Sequence, residues 1–195
     1  MRYIGLRYIG RVLPPNDDWS TRHSVQATAR RTVALVNVLS GDRPGPDTVA
    51  EVLRAHGESV PLPLSEEDVD QLRAAALLLR EVFAAPDTDG AARAVNGLLR
   101  RTAGAVRLTS HHGATPWHPH LDSDDEAPWG EWFLASSCLA LTVLLWDRQR
   151  PPGGLCASPS CTDVLLTQGG GPPRRYCSRR CATRERVAAH RRSRG

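Results

Sequence analysis

The sequence predicts a mainly α-helical fold with a small antiparallel β-sheet (α+β), ending in a compact cysteine-bearing module of treble-clef-like form. Three observations predict it. Apolar residues recur at helical spacing in five segments between residues 20 and 146. Two short β-type runs, Val106–Thr109 and Trp117–Leu121, flank a glycine-containing turn. Four of the five cysteines fall in two close pairs behind a Pro/Gly break at Arg150-Pro151-Pro152-Gly153-Gly154.

The first helix is expected over Ser20–Leu39, with Val25, Ala29, Val33, Val36 and Leu39 as its stripe and Gly41 as its stop. Asp47–Ala55 reads as a short second helix with Asp47 as N-cap. Ser65-Glu66-Glu67-Asp68 resembles a capping box and opens a helix to about Ala84, which buries Leu72, Ala75, Ala76, Leu79 and Phe83. A fourth helix follows over Asp87–Thr102. The segment Trp129–Trp146 is apolar around most of its circumference and so belongs at the centre of the domain. The Pro/Gly break sets a boundary between a helical domain, residues 1–150, and a C-terminal module, residues 151–195. The repeat Arg2-Tyr3-Ile4-Gly5, Arg7-Tyr8-Ile9-Gly10 reads as one strand or a leader.

A chain of 195 residues can bury a real core. No run of 18 apolar residues occurs, so no membrane span is expected, and the basic start lacks the apolar stretch of a secretory signal. The chain therefore reads as cytoplasmic. In that compartment five cysteines favour metal binding over disulfides.

The pairs are Cys156-x4-Cys161 and Cys177-x3-Cys181, separated by a loop containing Gly169-Gly170-Gly171. Two close pairs joined by a loop bring four soft thiolates together, and zinc favours tetrahedral sulfur coordination. The module has few apolar residues, mainly Val164, Leu165, Leu166 and Val187, so its folding should depend on the metal. One structural Zn2+ held by Cys156, Cys161, Cys177 and Cys181 is the expectation. An iron–sulfur cluster would use the same four ligands, and unrelated free thiols are the bland alternative. Four protein ligands close the sphere and argue against catalysis.

Charge divides the chain. Every basic residue is arginine, and residues 151–195 carry nine of them against Asp163 and Glu185, a balance of +7 within a total of +4. Arg174, Arg175, Arg179, Arg180, Arg184, Arg191 and Arg192 surround the second cysteine pair, with Arg194 just beyond. A final helix over Ala182–His190 would carry several of them on one side. Such a surface suits phosphate contacts and makes DNA the expected partner; a solvated basic tail is the alternative.

The run Arg174-Arg175-Tyr176-Cys177-Ser178, then Cys181-Ala182-Thr183-Arg184 and Ala189-His190-Arg191, resembles the CGNR zinc-finger family. Leu35-Val36-Asn37, Leu62-Pro63-Leu64-Ser65 with Leu72-Arg73 and Leu79-Arg80, and Asn96-Gly97-Leu98-Leu99 extend the resemblance over residues 30–192. It implies an N-terminal ABATE domain and a role among bacterial stress-induced transcription regulators. Departures are Cys181-Ala182-Thr183-Arg184 for the signature Cys-Gly-Asn-Arg, Tyr176 for Trp, and Thr167-Gln168-Gly169 for an acidic and hydroxyl pair.

Three other groups carry chemistry. Cys138 lies in the apolar helix and reads as a buried inert thiol, with a redox or partner cysteine as the alternative. His111, His112, His118 and His120 cluster around the hairpin, with His118 and His120 alternating onto one face; they form either a second metal or ligand site or polar decoration, since no carboxylate motif accompanies them. Trp117, Trp129, Trp132 and Trp146 either pack the core or an interface, or line a pocket. The leading expectation is a non-enzymatic regulator whose zinc module touches DNA and whose helical domain senses a small molecule or protein, or forms a homodimer. The alternative is a protein-interaction adaptor with a purely structural zinc.

Overall fold

The computed structural model describes residues 24–58, 62–102, 104–113, 115–167 and 174–194. The Arg2–Gly10 repeat, residues 20–23 of the expected first helix and the Gly169–Gly171 turn lie outside them.

Helix α1 spans Val25–Ser40, and its cap is Ser24, whose side chain accepts the Ala27 N–H at 3.2 Å. Helix α2, Pro46–Ala55, is capped by Gly45 and not by Asp47. Pro46 fits the first turn because its missing N–H would have no helical partner, and Asp47 then serves the positive end of the helix dipole from inside. Helix α3, Glu66–Ala84, opens with the expected reciprocal box: Asp68 N–H donates to Ser65 Oγ at 3.1 Å and Ser65 N–H to Asp68 Oδ2 at 2.8 Å. Helix α4, Thr88–Leu99, is capped by Asp87 and ends three residues before the expected Thr102. There Arg101 and Thr102 donate to Leu98 and Leu99 in tight i→i−3 turns instead of continuing the helix. Strands β1, Arg107–Thr109, and β2, His118–His120, pair antiparallel with Thr109 opposite His118.

Helix α5, Trp129–Arg148, lies beside α3, and both touch α1 and α4. Their shared core holds Leu35, Leu39, Leu72, Leu79, Phe83, Phe133, Leu141 and Leu144. Close approach of α5 to α3 needs Gly130, because a Cβ there would stand 2.8 Å from the Gln71 carbonyl oxygen. Helix α5 is long and apolar enough to cross a membrane by length and composition, although Glu131, Ser136, Ser137 and Thr142 interrupt its apolar run; most of it is buried against the other helices. Trp129 and Trp132 are buried edge to face, whereas Trp117 and Trp146 are 71% and 75% exposed.

The Pro/Gly break does not release the chain. Strands β3, Gly153–Leu155, and β4, Val164–Leu166, form a second antiparallel hairpin, and Val164 and Leu166 join the core of the helices. Asn37 of α1 reads the β4 backbone with both ends of its amide: Nδ2 donates to the Val164 carbonyl at 3.0 Å and Oδ1 accepts the Val164 N–H at 2.7 Å. Arg80 donates to the Thr162 carbonyl, and Arg148 to that of Thr167 at 2.9 Å. Gly153 is pressed so close to the Leu165 carbonyl and the Phe83 ring that no Cβ fits. The hairpin is thus fastened to the helices through backbone groups.

Replacing Asn37 with Leu keeps the volume but leaves both Val164 backbone groups without their partners. Chemical denaturation of the full chain should show a loss of about 1–3 kcal/mol. An unchanged midpoint would mean that water replaces the amide at no cost.

Candidate metal centre

The hairpin and the last helix build the cysteine site. Cys156 follows β3, and its N–H donates to the Asp163 carbonyl at 2.9 Å, closing the hairpin beyond the strands. Cys161 sits after a turn in which its N–H donates to the Ser158 carbonyl at 2.9 Å. Helix α6 runs over Arg179–Arg192, capped by Ser178, whose hydroxyl accepts the Cys181 N–H at 3.3 Å. The helix therefore begins three residues before the expected Ala182. Cys181 lies inside its first turn, and Cys177 stands just before the cap. The segment before α6 is tied back to the hairpin, with Ala157 N–H donating to the Arg175 carbonyl at 2.8 Å.

All four sulfurs fall within 4.8 Å of one another. Cys177 Sγ lies 3.6 Å from both Cys161 Sγ and Cys181 Sγ. A tetrahedral zinc with bonds of about 2.3 Å requires sulfurs about 3.8 Å apart. A disulfide would need about 2.05 Å, and all five cysteines are free thiols. Donor chemistry and spacing both fit one Zn2+ in a closed sphere.

The surroundings manage charge, since zinc with four thiolates carries a net −2. Arg184 Nη2 lies 3.3 Å from Cys181 Sγ and 2.8 Å from Ser158 Oγ. Ser158 is 1% exposed and donates in turn to Glu185 at 2.5 Å. The positive end of α6 adds to the same field. Burial first, then the Asp163 carboxylate at 3.2 Å, pushes the Cys177 thiol up. Burial raises the Cys156 thiol, but hydrogen bonds from the Cys177 and Ser158 backbone and with the Cys177 and Cys161 thiols together outweigh it and hold Cys156 below the usual thiol range. Cys138 is different: fully buried in α5, with its thiol pushed up to about 12 by burial, it is inert packing.

All seven arginines marked in the sequence are exposed. Arg180, Arg184 and Arg191 share one side of α6 by helical spacing, while Arg179 lies on another side with Arg186. Arg184 is partly committed to the zinc surroundings. Arg174 donates to the Cys177 carbonyl at 3.2 Å, and Arg175 stands 5.7 Å from the Tyr176 ring. Ser158, Asp163 and Glu185 were not marked in the sequence, because an isolated serine or acid gives no periodic or pairing signal. Asp122 and Asp125 were likewise missed beside the hairpin histidines: both contact imidazoles there, correcting the reading that no carboxylate accompanies them.

Changing Cys161 to Ser should remove the zinc from the full chain, read as loss of one equivalent by elemental analysis. Loss of structure should be confined to residues 156–163 and 174–192, since β4 keeps its place in the helical core. Hydrogen exchange would map it, and unfolding that spreads through α1 and α5 would contradict this division. Arg184→Ala should weaken zinc affinity about 10-fold, as removal of other outer partners of metal ligands does.

Residues 154–194 match the family model of the CGNR zinc finger. No curated protein matches the chain. The matched segment holds all four cysteines and all seven marked arginines, and the upstream region of expected ABATE likeness lies outside it. The four-thiolate module thus matches the CGNR zinc finger, with one structural zinc ion as its cofactor.

Proposed function

We propose that this protein is a non-enzymatic, cytoplasmic transcription regulator that binds DNA through its zinc finger. The observation that carries this reading is the way α6 is held. Its first turn contains a zinc ligand, so the metal sets the direction of the helix and with it the arginines that project from it. Exposed guanidinium groups on one small module are suited to phosphates, which bind them in a bidentate fashion. Arg180 and Arg191, one side of α6 apart by whole turns, would follow the backbone of a duplex. Arg174, Arg175, Arg179 and Arg192 would add contacts on the flanks. These contacts position the protein without reading sequence. Arg184, already bonded to Ser158 and Cys181, would contribute mainly by keeping the helix in place.

The helical domain would sense a small molecule, a protein or a second copy of the chain. Supporting this, Val106, Leu108 and Trp117, on or next to the β1–β2 hairpin, are all strongly exposed.

Fluorescence anisotropy on duplex DNA across a salt series is the test. With about five phosphates neutralised, the log–log slope should be about −4.5. The double change Arg180→Gln and Arg191→Gln should weaken binding to all sequences alike and flatten the slope by about two units, with zinc retained. Unchanged affinity when Arg174, Arg175, Arg179, Arg180, Arg191 and Arg192 are all neutralised would favour a protein-interaction adaptor with a purely structural zinc.

A further inference from the structure

A second group of metal-ligating side chains lies on the β1–β2 hairpin. His118 and His120 alternate onto one face of β2, and the turn brings His111 beside them; one ring nitrogen from each lies within 4.8 Å of the others. The ring centroids are 5.1, 5.1 and 4.8 Å apart. Reaching this position requires an uncommon backbone. His111 and His112 have φ of 47° and 58°, followed by Gly113 at 84°, and non-glycine residues rarely enter this region. The turn is held by Thr109, whose hydroxyl accepts the His111 N–H at 3.0 Å, and by Ser110, whose Oγ accepts the Gly113 N–H at 3.0 Å. Such a turn at a cluster of functional side chains points from strain to use.

The ring orientations carry the argument further. His118 Nδ1 faces the Pro116 carbonyl at 2.8 Å, so it bears the proton of that bond. His120 Nδ1 faces the Asp122 carboxylate at 2.8 and 3.0 Å. His111 Nδ1 lies 3.3 Å from Asp125 Oδ2. The two carboxylates are held by Arg107, which reaches Asp122 at 2.8 Å and Asp125 at 2.6 Å, and Thr109 donates to Asp125 at 2.8 Å. With its Nδ1 proton directed outward, His118 turns its Nε2 lone pair toward His120 Nε2 at 3.0 Å. One proton shared between the two nitrogens holds them at this distance, and a metal ion that displaces it would take its place. Nitrogen ligands of a tetrahedral ion with bonds of about 2.05 Å lie about 3.3 Å apart, near the observed separation. Imidazoles whose far nitrogens bond to carboxylates or carbonyls are the usual surroundings of a bound transition metal.

We propose that His111, His118 and His120 form a second metal site, taking a divalent transition ion of the zinc class and leaving a fourth position for water or a small anion. The site would use three neutral imidazoles, with Asp122 and Asp125 supplying a net charge of −1 after Arg107 is counted. It differs from the cysteine site in having an open position. It stands independently of DNA binding.

The test is metal content of the full chain after saturation with Zn2+ and removal of excess. Two equivalents are expected. His118→Ala with His120→Ala should leave one, still held by the cysteines. Asp122→Asn keeps all three ligands and should weaken the second site about 10–100-fold. A measurement without substitutions guards against variants that misfold. Co2+ added to protein carrying one zinc should give d–d absorption without thiolate-to-cobalt charge transfer. One equivalent at saturation, with no such cobalt spectrum, would overturn the proposal.

Discussion

The β3–β4 hairpin has to belong to two cores at once, and much of the structure answers that demand. Its β4 side chains are buried among the helices, while the loop between its strands and its flanks presents Cys156 and Cys161 to the metal. A segment so short cannot fill both roles by apolar burial alone. The helices therefore hold it through backbone groups, by Asn37, Arg80 and Arg148, and by the close contact at Gly153 that only a residue without a side chain permits. One end of the zinc site is fixed to a large core in this way. The other end, α6, contributes only Cys181 as a buried residue, so its position depends on the metal.

Charge follows the same division. Four thiolates around one divalent ion leave a net negative sphere, and Arg184 lies against it. Arg184 marks the boundary between inward and outward use: its guanidinium touches a sulfur and a buried serine while remaining exposed. An arginine spent on a thiolate has fewer donors for a phosphate. The arginines of α6 farther along the helix keep theirs, and the positive balance visible in the sequence overstates the charge available to a partner.

Much of this was legible in the sequence. Helices α1, α3 and α5 announced themselves by apolar spacing, and Ser65 with Asp68 marked a cap to the residue. The cysteine pairs identified the metal site because spacing in a loop is a local property. What escaped were properties set by neighbours distant in the chain. Gly45 displaced Asp47 as a cap because proline follows it. The Pro/Gly break looked like a domain boundary, yet its glycines open a hairpin whose second strand, β4, is buried, and nothing in residues 151–154 reveals that Asn37 waits for Val164. Asp122 and Asp125 looked like ordinary loop acids, since their meaning depends on Arg107 and on where the turn carries His111.

The two groups of metal-binding side chains differ in how their geometry is maintained. In the cysteine site the ligands come from both ends of the module, and α6 brings no buried side chain except Cys181 to hold those ends together. Folding and binding are therefore one event there. The histidines instead sit within a single hairpin, already oriented by Arg107, the aspartates and a strained turn. A site organised beforehand can gain and lose a ligand without losing its fold. That difference suits the first to structure and the second to exchange, and it follows from where each set of ligands is anchored rather than from the ligands' own chemistry.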